Sequence, residues 1–167
     1  GQSPNQSVNL LPDPRLPVSQ DDLQAQFALK LAIRDRISDI HEDANRIRRI
    51  KQQVESWTSR PDASDDLKAK GEALSERLTE FEGILVNLDP NGRKRGATAL
   101  VEKLKTLAAM TDEGDYAPAR QMQEIFDSVS ATWEEQHAQL NAVIDAEVGA
   151  FNDAARAANL AAVGELK

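Results

Sequence analysis

Apolar residues recur every three or four positions along most of the chain, the spacing of one face of an α-helix. The first stripe runs Leu23, Phe27, Leu31, Ile33, Ile37, Ile40, Ala44, Ile47, Ile50, Val54, Trp57, with no proline until Pro61. It predicts a helix over about 19–58, roughly 60 Å long at about 1.5 Å per residue. Ser19 is placed to cap it, Asp21 and Asp22 favour its positive end, and Val18 and Leu23 can staple its start. After Pro61, Ser64 begins a second stripe, Leu67, Gly71, Leu74, Leu78, Phe81, Leu85, Leu88, a heptad seam over about 64–88. Gly71 on that seam either admits a close neighbour or simply weakens one turn. Asp89-Pro90-Asn91-Gly92 turns the chain, and Leu100, Leu104, Leu107 and Met110 predict a short helix over about 97–111. Pro118 suits the first turn of a last helix over about 118–158, with Met122, Phe126, Val129, Trp133, Gln136, Leu140 and Val143 on its seam. That seam continues through Glu147 or Val148 to Phe151 and Ala155, and Gly149 and Asn152 can interrupt it, so the helix ends near 158 or splits near 146.

Two long and two short helices with short loops predict an all-α, antiparallel four-helix bundle over 19–167. Because the middle helices are shorter than the outer two, the first and last are expected to run on together as a two-helix extension. Residues 1–18 are different: Pro4, Pro12, Pro14 and Pro17 exclude a helix, and Val8–Leu11 can form one short extended segment. They read as a linker, with Val8–Leu11 either the remnant strand of an upstream β-domain or part of a disordered end, and a chain opening on Gly1 reads as a piece of a longer protein.

Composition narrows the function classes. There is no cysteine, so no disulfide, thiolate metal site or cysteine nucleophile exists in these residues. A net charge of −8 opposes phosphate neutralisation, and 4% aromatics leave few rings for base stacking, so no nucleic-acid partner is expected. The charge is uneven: residues 96–167 hold 5 basic and 12 acidic groups, which predicts an acidic outer face on the last helix. No run of about 18 apolar residues suggests a membrane span, and residues 1–18 do not read as a signal peptide.

Candidate chemistry is sparse. Glu134 and His137 have the i,i+3 spacing of a di-iron half-site, but the other histidine, His41, has Ser38 three residues before it, so the second half-site is absent. Asp112-Glu113-Gly114-Asp115 lacks the spacing of a calcium loop. Asn91-Gly92-Arg93-Lys94-Arg95-Gly96 is a basic turn without the ending of a phosphate-binding loop, and Arg46, Arg48, Arg49 and Lys51 cover an exposed helix face. Glu42 and Arg46 are spaced for an i,i+4 pair, and Trp57 and Trp133 are expected in the core with a partner for each indole N–H. No catalytic, cofactor-binding or metal-ligating residue, and no cofactor, is nominated.

Several segments carry a likeness. Asp13-Pro14-Arg15, Asp22-Leu23-Gln24-Ala25-Gln26-Phe27, Ile33-Arg34-Asp35-Arg36-Ile37-Ser38, Asn45-Arg46-Ile47-Arg48, Ala117-Pro118, Phe151-Asn152 and Leu160 together span most of 8–163. They resemble the C-terminal helical region of bacterial exported proteins with a sortilin-like, BNR-repeat β-propeller, often labelled glycosyl-hydrolase-like. The resemblance implies a non-catalytic accessory or interaction domain acting by helix-face packing, in a protein exported to the periplasm, outer membrane or exterior. Its partners would be the upstream domains of its own parent chain; any hydrolase-like activity would lie in the propeller. A homodimer or other protein partner through the two-helix extension is the alternative, and a carboxylate-bundle metalloprotein or periplasmic sensor bundle a lesser one.

Overall fold

The computed structural model describes residues 18–89, 98–114 and 116–157. The Val8–Leu11 segment and the basic turn 91–96 lie outside them. Among the described residues every regular element is helical: α1 (Gln20–Thr58), α2 (Asp65–Leu85), α3 (Leu100–Thr111), α4 (Arg120–Val143), a π turn (Ile144–Val148) and α5 (Gly149–Ala157). The protein is thus an all-α bundle with α1 and the run α4–α5 long, and α2 and α3 short.

Local chemistry starts the helices where expected in two cases. The Ser19 hydroxyl accepts from Asp22 N–H at 3.1 Å, and Ser19 N–H donates to the Asp22 carboxylate at 2.9 Å, a closed capping box. Ser64 accepts from Leu67 N–H at 3.2 Å. The last helix begins later than expected: Ala119 is extended (φ −59°, ψ 143°), so Pro118 precedes the helix rather than sitting in its first turn.

Contacts across the bundle give the helix directions. Arg48 and Lys51 of α1 meet Glu82 of α2, while Val54 and Thr58 lie against Gly71, so α2 runs back along α1. Gln26 and Lys30 meet Thr111 and Asp112, and Ile37 shares a groove with Ala108, so α3 also runs back, along the earlier half of α1. Arg36 meets Glu134, Asp43 meets His137 and Arg46 meets Asn141, so α4 runs in the same direction as α1. The expected two-helix extension is therefore replaced by a different solution. The short helices follow one another along α1 and together cover its length, and α5 stays within the bundle with Phe151 against Gly71.

One apolar cluster joins all the helices, from Leu29, Ile33, Ile40 and Ile47 through Leu67, Leu74 and Leu78 to Leu104, Leu107, Leu140 and Phe151. Each such fully buried side chain contributes roughly 1.5–3 kcal/mol of transfer free energy. Three apolar seam residues are exposed instead. Phe27 is 62% exposed, because α1 enters the core on Gln26, Leu29 and Ile33, and Phe27 is one residue, or about 100°, off that face. Leu88 is exposed because α2 stops at Leu85 and Val86 is extended. Met110 is exposed because α3 buries Leu107 and Thr111 instead.

The last helix does not split near 146; the helical run continues to Ala157, the last residue described there. It widens into the π turn 144–148, which places one extra residue in a turn and moves the seam on by one position. Leu140 and Ile144 before the turn and Phe151 and Ala155 after it all face the core.

Candidate functional site

The polar groups that matter are those the core takes in. Asp43 sits on the inner face of α1, one residue before Ala44, with its side chain only 7% exposed. Burying a carboxylate is costly unless donors replace water. Two donors do so, one helical turn apart on α4: Trp133 Nε1 at 3.0 Å and His137 Nδ1 at 2.9 Å from Oδ2. An ionised carboxylate only accepts, so Nδ1 of His137 carries the shared proton. The imidazole and indole ring centroids lie 5.0 Å apart, and the Arg36 guanidinium lies over the Trp133 ring at 4.1 Å from its centre. Arg36 also reaches Glu134 at 3.4 Å and Asp39 at 3.7 Å. One turn further along, Arg46 donates to Asn141.

Two further clasps use the same logic. Glu82, on the α1-facing side of α2, accepts from Arg48 Nε at 2.6 Å and Lys51 Nζ at 3.2 Å. Gln26 Nε2 donates to the carbonyls of Thr111 at 2.9 Å and Gly114 at 2.6 Å, tying the start of α1 to the loop after α3. Beside that loop is a cleft of about 230 Å³ lined by Met110, Tyr116, Pro118 and Met122. Met110 also lines a shallow groove with Ile125, so Tyr116, Met110 and Ile125, all exposed, form one apolar strip where α3 hands over to α4.

The structure separates Glu134 and His137: the first turns to Arg36 and the second to Asp43. Among the described residues no group of three or more His, Asp or Glu side chains is arranged to hold a metal ion. His41 is exposed. Asp112 pairs with Lys30 at 2.8 Å, and the carbonyls of the same loop are occupied by Gln26; Asp115 lies outside the described residues. Trp57 is half-buried with Arg60 over its ring at 5.4 Å. Trp133, also half-buried, has the indole partner expected of it, in Asp43. Reading the sequence alone missed Asp43, Glu82 and Gln26. The available signal was a polar residue next to a seam position, as in Asp43-Ala44 and Phe81-Glu82.

An imidazole oriented by a carboxylate resembles part of a hydrolytic triad, yet no hydroxyl among the described residues is hydrogen-bonded to His137. What the arrangement does is clasp α1 to α4. No helix among the described residues is long and apolar enough to cross a membrane. Fold and clasps together define a helical-bundle domain. No family model matches the chain, and neither a curated protein nor a solved structure matches it significantly.

Proposed function

We propose that this chain is a non-catalytic helical accessory domain that acts by packing a helix face against a partner, the upstream β-propeller of an exported parent protein. The observation that carries the packing role is the strip of Tyr116, Met110 and Ile125, apolar side chains held together on the surface while the buried charged groups Asp43 and Glu82 are engaged in helix-to-helix clasps. The choice of partner rests on the sequence resemblance. Titrating the domain with the separately produced upstream region, followed by amide NMR, tests it. Shifts concentrated on Met110, Tyr116 and Ile125 are expected. No shift at millimolar partner, or a parent sequence without propeller repeats before residue 1, overturns it. A mass that doubles with concentration in light scattering would assign the strip to a second copy.

A further inference from the structure

The strip of Met110, Tyr116 and Ile125 borders the cleft at the end of α3, and the lining of that cleft selects the kind of group it accepts. Resting on the docking role proposed above, we infer that the cleft takes the guanidinium of one arginine side chain from the partner. Its walls are apolar and adaptable: Met110 and Met122, the two methionines of the chain, with Ala117 and Pro118. Its side-chain amide and hydroxyl donors are already spent. Gln26 gives its amide N–H groups to the carbonyls of Thr111 and Gly114, and the Thr111 hydroxyl donates to the Ala108 carbonyl at 2.7 Å. What remains is a carboxylate. Glu113 is exposed on the cleft wall and forms no ion pair among the described residues.

No cation lines the cleft, and those on the surrounding helices are placed elsewhere. Lys30 of α1 holds Asp112 at 2.8 Å, and Arg120 of α4 holds Glu124 at 2.7 Å. Lys105 of α3 holds Glu102 at 2.9 Å, and Lys103 lies two turns back from Met110, about 10 Å along the helix. The size points the same way as the charge. About 230 Å³ is less than the roughly 300–1,000 Å³ of small-molecule sites, and suits a single inserted side chain.

Tyr116 makes arginine a better occupant than lysine. A Cβ on Gly114 would lie 2.6 Å from Tyr116 Cε2, and Tyr116 N–H donates to the Gly114 carbonyl at 3.2 Å. The ring therefore lies in space that any side chain at 114 would claim, held over the turn yet 57% exposed. Three other rings of the chain carry an arginine of their own: Trp133 has Arg36 at 4.1 Å, Trp57 has Arg60 at 5.4 Å and Phe81 has Arg77 at 5.6 Å. Among the described residues none covers Tyr116. A planar guanidinium stacks on such a ring while its N–H edge reaches a carboxylate, which a compact ammonium does less well. Arginine is also enriched among the few side chains that dominate an interface.

Two measurements test the anchor. In the first, the separately produced upstream region is titrated onto the chain and onto its Glu113→Gln and Tyr116→Leu variants, with Glu135→Gln, further along α4, as the control for lost charge. The first two variants should each bind about three- to fivefold more weakly, and the control should bind as the parent does. In the second, N-acetyl-arginine methylamide and its uncharged citrulline counterpart are added at equal concentration to isotopically labelled chain. The arginine compound should shift the Met110 and Met122 methyl signals and the Glu113 and Gly114 amides, the citrulline compound should not, and Glu113→Gln should remove the difference. Binding of the upstream region that is unchanged by E113Q or by Y116L, or equally weakened by E135Q, overturns the anchor and leaves the docking role standing. If the upstream region does not bind at all, the docking role fails and the second measurement decides alone: shifts selective for arginine and lost in E113Q uphold the anchor, and their absence overturns it.

Discussion

Asp43 shows how a single residue can organise a seam that periodicity alone does not reveal. Its partner His137 lies 94 positions away, and a helical pattern carries no information about which distant donor will face a buried carboxylate. The pattern does mark Ala44 as inward, and a polar neighbour of such a position is the only trace of the clasp. Ser130 presents the opposite case. It is buried on α4, one turn before Trp133, and its hydroxyl has no hydrogen-bond partner among the described residues. A hydroxyl withdrawn from water without a partner costs roughly 1–3 kcal/mol. Ser130→Ala is therefore expected to stabilise the fold by about 1 kcal/mol, a rise in Tm of about 2–4 °C for a chain of this size. Thermal unfolding followed by circular dichroism reads it, and a lower Tm would show that the hydroxyl is satisfied by bound water.

At the scale of elements, the positions best read in advance were those governed by local chemistry. Ser19 and Ser64 cap the helices they were expected to cap, and the heptads of α2 bury Leu67, Leu74, Leu78 and Leu85 as their spacing requires. Gly71 had two readings, and the structure chooses the close approach: a Cβ there would lie 2.4 Å from Thr58 Cγ2, 3.0 Å from Val54 Cγ1 and 3.2 Å from Phe151 Cε2. Gly71→Ala gains about 1 kcal/mol of helix propensity, but overpacking against three side chains from two other helices costs roughly 1–3 kcal/mol. A net loss of about 1 kcal/mol in urea unfolding is expected; a gain would mean that Thr58 simply rotates away. The capping box makes a pH prediction. The Ser19 hydroxyl first, and then its N–H, hold the Asp22 carboxyl below the usual aspartate range. A depressed carboxyl stabilises the fold above its unfolded value and loses that contribution as pH falls through the folded one. Protection of the Asp22 and Leu23 amides, both bonded to Ser19, should therefore drop in acid below about pH 4, and Ser19→Ala should weaken the drop. A protection profile independent of both pH and Ser19 would show the first turn to be held by other means.

For the whole molecule, helix lengths were legible and helix arrangement was not. Two short helices can either cap half of two long ones or follow one another along them, and the same apolar stripes serve both. The choice was made by groups remote in sequence, Gln26 with the α3 loop and Glu82 with Arg48 and Lys51, which fix α3 and α2 to successive halves of α1. The acidic excess after residue 96 has a consequence in that arrangement. Glu124, Asp127, Glu134, Glu135, Asp145 and Asp153 are exposed along the single run from α4 to α5, and the cations set against them are few: Arg120 with Glu124, Arg36 with Glu134 and Arg156 with Asp153. Exposed ion pairs of this kind contribute little, whereas the repulsion of a chain carrying −8 acts over a Debye length, about 30 Å in dilute buffer and about 8 Å at physiological salt. Repulsion should exceed the pairs, so sodium chloride added from 10 to 150 mM at neutral pH is expected to raise Tm by a few degrees. The same addition at pH 4, where part of the carboxylate charge is gone, should raise it less. A fall in Tm with salt at neutral pH would mean that the ion pairs outweigh the repulsion and that the acidic run is held by its cations.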